Sequence, residues 1–115
     1  MPLPTGFDTT IRLVTNTPIG AADLNGEISA RNAAGYACGD IKFIDDDNAL
    51  LFFTRAGDDP LDNVLPQKVN LVAMSQVALD ADKATETAND YWPTGFFITP
   101  AGLIFVMYTD FGGGS

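Results

Sequence analysis

Apolar residues in this chain recur at every second position more often than at helical spacing, in short runs cut by Asp, Asn, Gly and Pro. Residues 9 to 16 put Ile11 and Leu13 on one side and Arg12 on the other, interrupted by Val14, which predicts a strand. Residues 67 to 74 alternate more cleanly, with Val69, Leu71 and Ala73 opposite Lys68 and Asn70, and predict a half-exposed strand. Residues 41 to 44 and 49 to 54 flank Asp45, Asp46, Asp47 and Asn48, an acidic turn that makes the pair a hairpin. A last hairpin is predicted from residues 96 to 99 and 103 to 108 around Pro100, Ala101 and Gly102, because Pro-X-Gly is turn chemistry.

Two stretches are ambiguous. In residues 18 to 35, Asn25-Gly26 is a hairpin signal, while residues 27 to 34 suit a short helix ended by Gly35; a hairpin or irregular loop is the favoured reading. Residues 80 to 91 suit either a short polar helix capped by Asp80 or an exposed loop. Residues 57 to 66, with two prolines, read as a loop. Pro2 and Pro4 make residues 1 to 8 an extended arm, and residues 112 to 115 form a flexible Gly/Ser tail. No internal repeat of useful length stands out. The expected fold is β-rich with at most one or two short helices: a small antiparallel sandwich or barrel, formed by residues 9 to 111 as one domain.

Composition sharpens this picture. Among the 115 residues, thirteen Asp stand against two Glu, with 11 Gly, 7 Pro and 11 Thr, a mix that favours turns and strands over long helices. The net charge of -9, with six scattered basic residues, opposes binding to nucleic acid or to an anionic membrane surface. The longest apolar run, residues 101 to 108, is far short of the roughly 18 residues a membrane-spanning helix needs. The start has neither a basic nor an apolar leader region, so synthesis in the cytoplasm is expected.

The chain contains no histidine, which excludes Ser-His-Asp and Cys-His nucleophilic sites and histidine-based metal sites. Cys38 is the single cysteine; it excludes an intrachain disulfide and reads as a small buried hydrophobe. The Asp45–Asp47 run and the cluster of Asp58, Asp59 and Asp62 carry hard oxygen ligands but lack EF-hand spacing, so solvated turns are preferred to calcium sites. No metal or cofactor is expected. Asp110-Phe111-Gly112 spells a kinase tripeptide without any other kinase part. Phe7-Asp8-Thr9-Thr10 resembles the Asp-Thr-Gly loop of retroviral-type aspartic proteases, with Thr10 in place of glycine; Asp8 is therefore the acid of a remote enzymatic alternative. Tyr91, Trp92, Pro93, Phe96 and Phe97 offer a stacking platform for a small ligand or peptide, as in an adaptor domain, against the commoner fate of core packing.

Residues 50 to 53 and 96 to 108 are apolar in both directions, so each strand has a second face to cover, and a partner chain is the expected cover. In size, composition and its Pro2–Pro4 arm the chain is similar to the small decoration, or cement, proteins of tailed-bacteriophage capsids. That resemblance implies a non-enzymatic virion protein that self-associates, often as a trimer in such families, and binds the major capsid protein or another virion protein. Leu3 and Phe7 are then the expected arm contacts. Trp92 is an expected interface anchor, and Phe97, Ile104, Val106 and Tyr108 are expected to face the oligomer.

Overall fold

The computed structural model describes residues 5–57 and 65–111. In chain order its elements are β1 (Asp8–Thr15), α1 (Ala21–Ala33), β2 (Ala37–Phe43), β3 (Asn48–Arg55), β4 (Gln67–Val72), α2 (Gln76–Thr87), β5 (Tyr91–Ile98) and β6 (Ile104–Asp110). The strands make two antiparallel three-stranded sheets, β1-β3-β2 and β4-β6-β5, so the protein is β-rich as its alternation predicts.

The favoured reading of residues 18 to 35 is corrected: the segment holds a 13-residue helix, with Asn25-Gly26 in its interior. Leu24 and Ile28, four apart on one face, are fully buried. Their burial, worth roughly 1.5–3 kcal/mol each, outweighs the cost of about 1 kcal/mol for a mid-helix glycine. The Asp23 carboxylate accepts from the Gly20 N–H at 2.8 Å and fixes the helix start. Helix α2 starts before Asp80, because the Ser75 hydroxyl accepts from the Ala78 N–H at 3.1 Å. Asp8 is already paired with Arg55, so the strand begins inside the stretch read as an arm. Leu3 and the tail at 112 to 115 lie outside the described residues.

Although no repeat of useful length stands out in the sequence, the structure repeats one arrangement. Residues 8–55 and 67–110 each run strand, helix, strand, strand, and each sheet places its third strand in the middle. The two hairpins match in register 55 positions apart: Phe43 pairs with Ala49 and Ile98 with Ile104, and the second strand of each bulges at the same place, between Cys38 and Asp40 and between Pro93 and Gly95. The hairpin turns close with the same bond, Ile44 N–H to the Asn48 carbonyl and Thr99 N–H to the Leu103 carbonyl. Both helices lead into a residue with positive φ followed by tyrosine: Gly35 (92°) before Tyr36, and Asp90 (68°) before Tyr91. A cation lies over each ring, Arg55 at 5.0 Å from the Tyr36 centroid and Lys68 at 4.9 Å from that of Tyr91. The first strands match at a different offset, Val14 with Val72, because the strand-to-helix link is three residues shorter in the second unit. Arg12 bound to Glu27 in the first unit thus corresponds to Asn70 bound to Asp82 in the second.

The core is shared by the units. One face of the first sheet, carrying Val14, Ala49, Leu51, Phe53 and Ile41, packs with Leu24 and Ile28 of α1 and with Val69, Phe105 and Met107 of the second sheet. Phe43 stacks on Phe105 with centroids 5.4 Å apart. The opposite face of the second sheet, with Val72, Val106 and Tyr108, is covered by Ala78 and Leu79 of α2.

The edge of β4 is completed by a helix instead of a strand. The Asn25 carboxamide accepts from the Val69 N–H at 2.6 Å and donates to the Val69 carbonyl at 2.7 Å, while Asn32 accepts from the Gln67 N–H at 3.0 Å. Replacing Asn25 with alanine leaves both main-chain groups of a fully buried residue without their partner, and is expected to lower stability by about 2 kcal/mol in urea unfolding.

Candidate interaction surfaces

The outer face of the first sheet is open. Ile11 pairs directly with Phe52 and Leu13 with Leu50, so four large apolar side chains form one block across β1 and β3. Ile11 is 63% exposed and Phe52 41%, with Leu13 and Leu50 also exposed. Asp40 and Lys42 of β2 border the block, being paired with Phe52 and Leu50. Scattered single apolar residues on a surface are ordinary; a contiguous block rimmed by charge marks an interaction site.

A second open apolar surface lies between α2 and β5. Gln76, Leu79, Asp80, Lys83, Pro93, Phe96 and Val106 line a groove of about 340 Å³. Phe96 is 67% exposed, and Ile98 beside it on the same strand face is exposed as well. The corresponding groove of the first unit, between α1 and β2, is filled by the second unit, as the burial of Leu24, Ile28, Ile41 and Leu51 shows.

Several predicted interface residues are elsewhere. Tyr108, 1% exposed, and Val106, which forms the floor of the α2–β5 groove at 2% exposed, are corrected from oligomer-facing to core positions. The cause is α2, which supplies more apolar cover than its polar sequence suggests. Ile104 packs partly buried in the same cluster and Phe97 partly buried against the main core. Phe7 is half-buried, and Trp92 is exposed at the outer edge of β5. The aromatic platform is corrected too: Tyr91 and Phe96 pair with Asp110 and Val106, whereas Trp92 and Phe97 pair with Thr109 and Phe105, so the two pairs of rings lie on opposite faces of the sheet.

Sequence reading points to Leu50 and Phe52 through the two-sided apolar character of residues 50 to 53 but misses Ile11 and Leu13, which lie opposite them.

Several ionisable groups among the described residues are engaged structurally. Asp8, at the start of β1, accepts from the Tyr36 hydroxyl, and this bond with the Thr9 amide holds its carboxyl below the ordinary range while raising Tyr36. Asp45 accepts from the Asp47 N–H and the Asn48 side chain within its own turn, which likewise lowers its pKa. Asp46 reaches the other hairpin and accepts from the Ala101 N–H at 3.0 Å. Under α2, Asn70 donates to both Asp82 and Glu86, Tyr108 donates to Asp82 at 2.6 Å, and Lys68 pairs with the buried Glu86 at 2.6 Å. Burial first, then the Asp82 bond, raises the Tyr108 pKa. This network pins α2 to its sheet. Among the described residues, no group of three or more His, Cys, Asp or Glu side chains gathers in a way that would hold a metal ion. No helix among them is long and apolar enough to cross a membrane.

Comparison of the chain with protein-family models, curated proteins and solved structures returns no match.

Proposed function

We propose that this protein is a non-enzymatic assembly subunit whose activity is to bind copies of itself. The observation that carries the reading is the open block of Ile11, Leu13, Leu50 and Phe52 on a sheet whose other face packs on α1 and the second sheet. Moving such side chains out of water contributes roughly 1.5–3 kcal/mol each, so four of them offset much of the entropy cost of association. The setting we propose is a virion surface, with the major capsid protein as a further partner; its support is the similarity to capsid decoration proteins in size, composition and N-terminal prolines.

Static light scattering tests self-association. The mass should exceed 12.2 kDa at micromolar concentration and should rise with added salt, since salt screens the repulsion between chains of net charge -9. A mass that stays at one chain across concentration and salt would overturn the proposal.

A further inference from the structure

The geometry points to a head-to-tail joint in which the outer face of the first sheet of one copy seats in the α2–β5 groove of the next. This rests on the reading of the chain as a self-assembling subunit and names the contact.

A joint of this kind is already built inside the chain. There, the second unit presents Val69, Phe105 and Met107 to the first, and they fill the groove between α1 and β2. The same positions of the first unit are Ile11, Leu50 and Phe52, by the registers that match Val14 with Val72 and Ala49 with Ile104. They are apolar, and among the described residues all three are exposed. On the receiving side, Leu24, Ile41 and Leu51 of the filled groove correspond to Leu79, Phe96 and Val106 of the empty one. Each copy thus carries one spare inserting face and one spare receiving groove, of the kinds that already fit each other.

A symmetric contact between two outer faces would cover Ile11 and Phe52 but leave Phe96 and Ile98 wet in both copies. The head-to-tail joint covers both surfaces. It is heterologous, so it closes into a ring or grows as an open chain of copies.

One position differs in a telling way. Asn25, which bonds both main-chain groups of Val69, corresponds to Asp80 on α2. A carboxylate accepts from the Ile11 N–H but cannot donate to the Ile11 carbonyl. The joint between copies is therefore weaker than the joint within one.

Two exposed residues give the test, Phe52→Asp on the inserting face and Phe96→Asp in the groove, with circular dichroism to verify that each variant folds. Each alone should lose self-association. Mixed in equal amounts they should form 1:1 pairs and nothing larger, because each retains the surface the other lacks. Asp80→Asn should tighten assembly by about tenfold, by restoring the missing donor. If Phe96→Asp associates like the unaltered protein while Phe52→Asp does not, the contact is symmetric: the head-to-tail joint fails and the assembly reading stands. Folded variants that never pair when mixed, or no tightening by Asp80→Asn, also overturn the joint. An unaltered protein that is monomeric throughout overturns both proposals.

Discussion

Phe105→Ala should lower the free energy of unfolding by about 3–5 kcal/mol, while Leu50→Ala, the truncation at the matching position of the other unit, should lower it by only about 1–2 kcal/mol. Phe105 is fully buried and stacks on Phe43, so truncation removes a ring from a shared core and leaves a cavity there. Leu50 has its side chain on the open face and keeps 38% of its surface exposed, so truncation removes only part of a core leucine's contacts and leaves no closed cavity. A domain of this size is stable by roughly 5–15 kcal/mol, so the first change consumes a large share of the total. Urea unfolding at a concentration too low for association reads both values. Equal losses at the two sites would show that the outer face of the first sheet is covered within the single chain.

Stability should fall steeply in alkali, beginning near pH 9. Burial pushes the Cys38 thiol from its ordinary value of about 9 up to about 12, and its S–H points to the Asp40 carbonyl at 3.6 Å. In the unfolded chain the thiol ionises near pH 9 while the folded chain keeps it neutral. Its contribution is therefore complete below pH 9 and is lost as pH rises toward 12, up to about 4 kcal/mol over three pH units. Tyr108 works in the same direction above pH 10, being raised by burial and by its bond to Asp82. Urea midpoints measured from pH 7 to 11 should show the decline. Cys38→Ala should remove the part of it that starts near pH 9 and leave the part due to Tyr108. A decline unchanged in Cys38→Ala would mean that the thiol is solvated in the folded protein.

Both hairpins and the first strand of each unit were legible because period-two alternation and turn residues are local signals. Helix α1 was not, because Asn25-Gly26 is favourable in a hairpin turn and costly in a helix, and only the groove that receives Leu24 and Ile28 reverses that preference. The repeat was hidden by divergence and by the shortened link. Leu24 and Leu79, Tyr36 and Tyr91, and Thr54 and Thr109 persist at one offset while Leu13-Val14 and Leu71-Val72 persist at another, so no single period aligns them. The apolar surplus expected at residues 50 to 53 is present as the exposed Leu50 and Phe52, whereas that expected at residues 104 to 108 is covered within the chain. Residues 104 to 108 are apolar on both sides because one side meets the first unit and the other meets α2, and neither cover is local in sequence.

The core that spans both units also sets a schedule for the nascent chain. When residue 55 emerges from the ribosome, Ile41, Leu51 and the Asn25 carboxamide still lack the strands that will meet them, because Val69 and Phe105 have yet to emerge. At translation rates of roughly 5–20 residues per second, the half-finished protein presents that unfilled groove for several seconds. Second units of copies already finished meet it during that interval. The architecture that makes a tandem pair from one chain therefore also creates a window for exchanging halves between chains.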